Sequence, residues 1–405
     1  MSNNENHYCQ QAGNKMKKTA ICLFFTAFAL YSCQAREKKN AEADETALSE
    51  NVTVADKITI TDSSGRKVTV PRNPKHVICS GAGCLRYLTY LQCSDNVVAV
   101  DSIEVESRWY ESRPYLLANP QYKKKPVFGQ FRGQDNPELI AMLNPQPQVI
   151  FKTYADMGYN ADDLANRTGI PVVTLAYGDL TKKRNKMFES LELIGKIMGK
   201  EQRASDVIAF FNRTITDLNE RTAEVPIEKR PTCYVGGVAF KGAQGVKSTQ
   251  PEYPPFLFTN TPNAVTLENE NMFKNAVAVI SPEKLITWNP DYIFIDLSTL
   301  HADEKINALY QLKNKSEYRT LNAVKNGALY GLLPYNYYAT NYGSVLANCY
   351  YTGKLLYPDH FKDISTRKKA NEIFEFLVGM PVFDDLAKPF NSFAFNKINL
   401  NHLKK

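Results

Sequence analysis

Histidine is scarce in this 405-residue chain: His7, His76, His301, His360 and His402 are all there are, and no two stand at a metal-ligand spacing. A bare divalent metal needs three or four converging His, Cys, Asp or Glu ligands, so no metal site and no cofactor are expected. His301 follows a strand-like run and otherwise reads as a loop residue. No Cys-x-x-Cys, Gly-x-Ser-x-Gly or His-Glu-x-x-His occurs. The run GAQGVKS at 242–248 is similar to a phosphate loop, but that loop needs four residues between its glycines and here there are two. Without a nucleophile–base set, no catalytic residues are assigned and no enzyme is expected. The basic residues do not gather into the patch that nucleic acid requires, although the formal net charge is +7. Long apolar runs are missing too. The longest, TAICLFFTAFALY at 19–31, is too short to cross a hydrocarbon core of roughly 30 Å.

That run has another use. Lys17 and Lys18 precede it and Leu30-Tyr31-Ser32-Cys33 follows it, so residues 1–33 read as a signal peptide whose true start is Met16. The last four residues resemble a bacterial lipobox, with Cys33 as the lipidated residue; the expected product is exported and lipid-anchored to a membrane. Residues 34–56 carry no apolar periodicity and read as a flexible tether. Cys79, Cys84, Cys93, Cys233 and Cys349 remain after processing. An odd number cannot all pair, and both a disulfide among the first three and buried free thiols stay open.

A repeat organises the body. Asn136-Pro-Glu-Leu-Ile-Ala-Met-Leu-Asn-Pro145 precedes the strand-like run at 148–151, and Ser281-Pro-Glu-Lys-Leu-Ile-Thr-Trp-Asn-Pro290 precedes that at 291–295. Each copy reads as an N-cap, a Pro in the first turn, a short helix stopped at Asn-Pro, and a buried strand. Copies so far apart imply two similar α/β lobes. Residues 58–61 and 67–70 alternate around Ser64-Gly65 as a hairpin. Short β-rich runs separated by helical stretches then predict parallel sheets with crossover helices. The proline-free stretch 182–222 reads as one long helix with a weak point at Gly199. The expected organisation is an N-terminal lobe at 57–181, this helix, a C-terminal lobe at 231–380 and a tail at 381–405.

ITITDSSGRKVTVPRNPKHVI (58–78), YVGGVAFKGAQG (234–245), and Tyr335-Asn-Tyr-Tyr followed by Asn341 and Leu346-Ala-Asn348 resemble the binding proteins of iron-siderophore, haem and cobalamin ABC importers. The resemblance covers about residues 57–380. It implies two Rossmann-like lobes with central parallel sheets joined by one long rigid helix, the class III architecture, in a monomer. It implies as partners an ABC permease dimer with its ATPase, and as ligand a small-molecule metal chelate. It further implies that Glu138 and Glu283, the acidic residues of the repeat, dock on the permease. Helix-dipole stabilisation alone also explains a carboxylate there.

In open α/β sheets ligands lie beyond the carboxyl ends of the strands. That rule marks residues 79–83, 128–133 and 152–154 in the first lobe, and 236–248, 297–301 and 334–342 in the second. Ser80, Gly81, Arg132, Tyr154, Lys241, Ser248, Tyr335, Tyr337 and Tyr338 are therefore the expected ligand-binding residues: glycine for close approach, cations for negative charge, tyrosines for stacking and hydroxyl donation. Tyr342 reads more as core, and Trp109 with Tyr110 sits in an excursion at 102–125 that rims the cleft. Direct ferric coordination by tyrosinates ranks below capture of a pre-formed chelate, because no acid or histidine stands beside the tyrosines in the sequence. Haem, cobalamin and an oxyanion such as molybdate are the alternatives, as is a surface lipoprotein with no ABC partner.

Overall fold

The computed structural model describes residues 56–106, 110–266 and 277–402. The signal peptide, Cys33, the tether up to residue 55 and Trp109 lie outside the described residues.

The chain opens with the antiparallel hairpin β1 (Lys57–Thr61) and β2 (Lys67–Pro71). Its turn is built on Asp62, whose carboxylate accepts from the Ser64 and Arg66 amides, from the Arg66 guanidinium and from the Thr174 amide. These donors hold the Asp62 carboxyl below the usual range despite its burial. They also fix the Ser63-Ser64 tip against the main sheet.

That sheet contains β3 (Val77–Ser80), β4 (Val97–Asp101), β5 (Val127–Gln130), β6 (Gln134–Asp135), β7 (Val149–Thr153) and β8 (Val172–Leu175) in the order β6-β5-β4-β3-β7-β8. Only the edge strand β6 runs antiparallel. Alternation decides the faces: Val77 and Cys79 enter the large core, whereas Ile78 enters a smaller one with Phe128, Ile150 and Leu164. The order reverses between β3 and β7, which makes their carboxyl ends the switch point of the sheet.

The stretch read as one helix is two. Arg184–Met198 ends at Gly199, which takes the left-handed conformation at φ 64°, and Glu201–Ala223 follows. A left-handed residue cannot continue a right-handed helix. Gly195 then lets the two approach, since a Cβ there would lie 2.9 Å from that of Ala204. The second helix, about 34 Å long at 1.5 Å per residue, touches both lobes. Arg203 donates to the Tyr90 and Phe376 carbonyls, and further along Asp217 and Arg221 bind Tyr350 and Asp363.

The second lobe has a smaller parallel sheet, β9 (Cys233–Gly236), β12 (Tyr292–Asp296) and β13 (Leu329–Leu332), in the order β13-β12-β9, with β10 (Ser248–Thr249) and β11 (Ala278–Val279) paired beside it. Residues 381–402 belong to this lobe rather than hanging from it. Ala394 and Lys397 bridge to β13, and Phe390 and Ile398 are buried. The helix Tyr342–Leu356 has no polar face and is buried nearly throughout, between Phe211, Phe374 and the second lobe. One continuous apolar core therefore runs from Ile58 to Ile398 through both lobes. Among the described residues no helix is long and apolar enough to cross a membrane.

Candidate functional site

A cavity of about 590 Å³ opens between the lobes at the carboxyl ends of β7 and β8, a size typical of small-molecule sites. Tyr154, Tyr177 and Lys183 line it from one side, and Gln250, Tyr335 and Thr340 from the other. The Tyr154 and Tyr177 rings lie 5.2 Å apart, tilted by 36°, and offer an aromatic wall. Tyr154 is among the more exposed large side chains, and it holds a left-handed backbone at φ 55° where β7 ends.

The rest of the cleft is crossed by residues 335–341, a strap formed by β14 (Asn336–Tyr337) and β15 (Ala339–Thr340). Tyr338, at φ 57°, forms its tip. Its hydroxyl donates to the Asp101 carboxylate at the end of β4 and accepts from the Arg132 amide, 3.3 Å away. The Thr340 amide donates to the Tyr177 hydroxyl at 2.6 Å, and the Thr340 carbonyl accepts from Arg86. Tyr337 packs edge-on against Tyr110, which stacks on His301 at 4.1 Å. Asn341 holds the strap's shape by donating to the Tyr335 and Ala339 carbonyls. Asn348 binds both the amide and the carbonyl of Leu333 at its base. The asparagines of the resembling motif are thus staples of this element.

Three charged clusters lie beneath the cleft. Lys152, on β7, is fully buried and pairs with buried Asp135 at 2.6 Å while donating to Ser80 Oγ and the Gly133 carbonyl. Asp101 and Glu104 are buried together near one cation, Arg113, which also holds Glu111. Burial first, and the Glu104 charge second, push the Asp101 carboxyl up to about 8. Glu104 is pushed up by burial against the pull of Arg113. Arg86 is the third: it is fully buried, with its carbon 4.0 Å from the Tyr342 ring centre and 5.4 Å from that of Tyr177.

Of the residues expected to bind ligand, Tyr154 and Tyr335 line the cavity. Tyr337 and Tyr338 sit in the strap between the lobes. Ser80 and Gly81 lie at the switch point but meet protein: a Cβ at Gly81 would come within 2.7 Å of the Thr153 carbonyl and hydroxyl. Ser248 is buried, its hydroxyl donating to the Val238 carbonyl at 2.7 Å. The Arg132 and Lys241 side chains are exposed on loops and do not line the cavity. The premise that no acid or histidine accompanies the tyrosines needs correcting, because folding brings Asp101 and His301 to the strap. The five described cysteines are buried free thiols. Lys152, Arg86 and Tyr177 were missed. The first two had a signal, since each is a lone charge inside an apolar run, VIFKT and CLRYLTY.

Glu138 and Glu283 are both exposed on the first turns of Pro137–Ala141 and Pro282–Trp288, capped by Asn136 and Ser281. The two short helices repeat one local design. The backbone amide of Glu283 first, and the Ser281 hydroxyl second, hold the Glu283 carboxyl below its ordinary value.

The model of the family described as "Periplasmic binding protein" matches residues 77–335. The molybdate-binding protein MolA of Haemophilus influenzae is 22% identical over 355 residues, which cover 80% of this chain and 91% of that protein. The petrobactin-binding protein YclQ of Bacillus subtilis is 25% identical over 319 residues, covering 77% and 90%. A periplasmic solute-binding protein of Veillonella parvula, solved crystallographically, superposes with a TM-score of 0.63 at 17% identity, covering 83% of this chain and 97% of its own. Two α/β lobes with parallel sheets around a helical backbone are the class III solute-binding fold. Proteins of this kind bind and deliver solutes for ABC importers and are not enzymes. With more than half of its length matched by the family model, the chain belongs to the periplasmic binding protein family.

Proposed function

We propose that the chain captures an iron chelate of siderophore type between its lobes and hands it to an ABC permease. The observation that carries this reading is the interlobe cavity of about 590 Å³ with its Tyr154–Tyr177 wall and its Lys183 and Lys186 rim. Such a wall suits aromatic ligand groups, and the lysines, which share the lining with Asp179 and Glu252, offer contacts to the negative groups of a complex. A petrobactin-binding protein among the relatives supports it. The similarity to a molybdate-binding protein over most of both chains favours a second reading, an oxyanion in the same cleft. Against that reading, a tetrahedral oxyanion fills little of the cavity.

Isothermal titration calorimetry of the purified chain with ferric tris-catecholate, haemin, cobalamin and molybdate separates the two. Ferric tris-catecholate is expected to bind at micromolar or below, about 8 kcal/mol or more. Tighter binding of molybdate, with no heat from the iron complex, would favour the oxyanion.

Delivery rests on Glu138 and Glu283, exposed on matched first turns, as the carboxylates that dock on the two permease subunits. Cys33 is the proposed anchor, keeping them close to the membrane through the tether.

A further inference from the structure

Among the arginines held wholly or partly within the described residues, Arg66 and Arg113 each turn one edge to a carboxylate. Arg113 directs Nε to Oε1 and Nη2 to Oε2 of Glu111, and Arg66 directs the same two atoms to a single oxygen, Oδ2, of Asp62. That edge of a guanidinium is a fork matched to two oxygens of one anion. Arg86 differs. It is the most deeply placed, with no exposed surface, yet its Nε and Nη2 have no partner among the described residues. Only Nη1 is engaged, by the Thr340 carbonyl of the strap. Three tyrosine rings, Tyr87, Tyr177 and Tyr342, surround the cation within 5.4 Å, and no carboxylate among the described residues is paired with it. Buried cations without a counter-charge are costly, and unsatisfied donors there call for a reason.

The position supplies one. Arg86 follows the β3 turn at the switch point of the larger sheet, where ligands of open α/β sheets are received. Gly83 stands in front of it at φ 77°. A Cβ on Gly83 would lie 3.1 Å from Arg86 Nη2 and 3.0 Å from the Tyr177 ring, so glycine keeps side-chain atoms out of the gap between them. Tyr177 and Thr340 are in turn walls of the cavity. Arg86 Nη2 and the Tyr177 ring thus meet beside Gly83, and the rings of Tyr177 and Tyr342 against the guanidinium belong to residues that line the cleft.

We infer that Arg86 is the anion-binding group of this cleft, which receives two oxygens of a catecholate, carboxylate or inorganic oxyanion on Nε and Nη2 when the Tyr177 ring swings aside. This deepens the proposed function by naming the ligand's charge class, and it rests on the cleft being the binding site. The strap then senses occupancy, because Thr340 shares both Arg86 and Tyr177 with the incoming anion.

The test uses the full chain and three probes of different charge: ferric tris-catecholate (trianionic), ferric tris-acetohydroxamate (neutral) and molybdate (dianionic). The catecholate complex is expected to bind at least tenfold more tightly than the neutral one. Arg86→Met and Arg86→Lys should erase that preference, with the catecholate complex losing at least tenfold more affinity than the neutral one. A second readout needs no variant. In the chain labelled with ¹⁵N-arginine, the Arg86 Nε–H resonance should move on saturation with molybdate or with the diamagnetic gallium tris-catecholate. A stationary resonance at saturation, or equal affinities for charged and neutral complexes, overturns the inference. Binding of molybdate alone with a moving resonance leaves Arg86 standing and removes the iron-chelate reading. Binding of the neutral complex alone does the reverse.

Discussion

Asp101 carries the clearest consequence of a single side chain. Its carboxyl is pushed from an ordinary 3.8 up to about 8, so between those values the unfolded chain releases a proton that the folded chain keeps. Its contribution to stability therefore falls as pH rises from about 4 to about 8 and is level above that. Asp296, pushed up to about 7 by burial, acts in the same sense. His301 acts oppositely: burial lowers it to about 4, and stability present above 6.5 is lost as pH falls toward 4. Asp101→Asn isolates the first effect, because asparagine can still accept from Tyr338 while having no proton to release. Urea unfolding at pH 5 and pH 8.5 should show the variant gaining on the wild type mainly at pH 8.5. An equal difference at both would mean that the carboxyl titrates in its ordinary range. Buried ionisable groups such as this one, Lys152 and Arg86 mark where the site departs from an apolar core.

At the scale of elements, the strap is the part that joins the lobes by side chains rather than by the chain's path. Removing the Tyr338 hydroxyl leaves a ring of nearly the same volume, so Tyr338→Phe tests the bond to Asp101 together with the longer one from the Arg132 amide. A loss of about 1 kcal/mol is expected, with faster amide exchange over residues 336–341 and none over β7. Unchanged exchange in the strap would show that the Tyr338–Asp101 bond does not hold it. Most regular elements were legible in the sequence. Mainly apolar runs such as Val149–Thr153, interrupted by Lys152, and Val172–Leu175 are what a strand buried on both faces requires. The Pro-Glu repeat marked both capped helices, because N-caps and first-turn prolines are local signals. Gly199 was visible as a weak point, but only its left-handed backbone shows that the long helix is two. The strap was not legible as a strap. A tyrosine cluster reads alike whether it stacks on a ligand or on the opposite lobe, and the partners of Tyr337 and Tyr338 are more than two hundred residues away in sequence.

For the whole molecule, the continuous core and the helix Glu201–Ala223 tie the lobes into one body. Separating the lobes fully would expose the buried helix Tyr342–Leu356, so only small motions between them are compatible with the packing. Opening the cleft then amounts to shifting the strap and Tyr177 rather than rotating a domain. In the proposed delivery, the matched carboxylates Glu138 and Glu283, one on each lobe, would give a two-subunit permease one contact for each subunit. The double variant Glu138→Ala, Glu283→Ala tests capture and delivery together. Both residues are exposed, so their loss leaves the cleft intact. Accumulation of radioactive iron chelate by cells expressing the variant as their sole binding protein should fall to background, while the affinity of the purified variant for the same chelate stays that of the wild type. Undiminished accumulation, or affinity that falls with it, would contradict a protein that binds between its lobes and delivers through these two carboxylates.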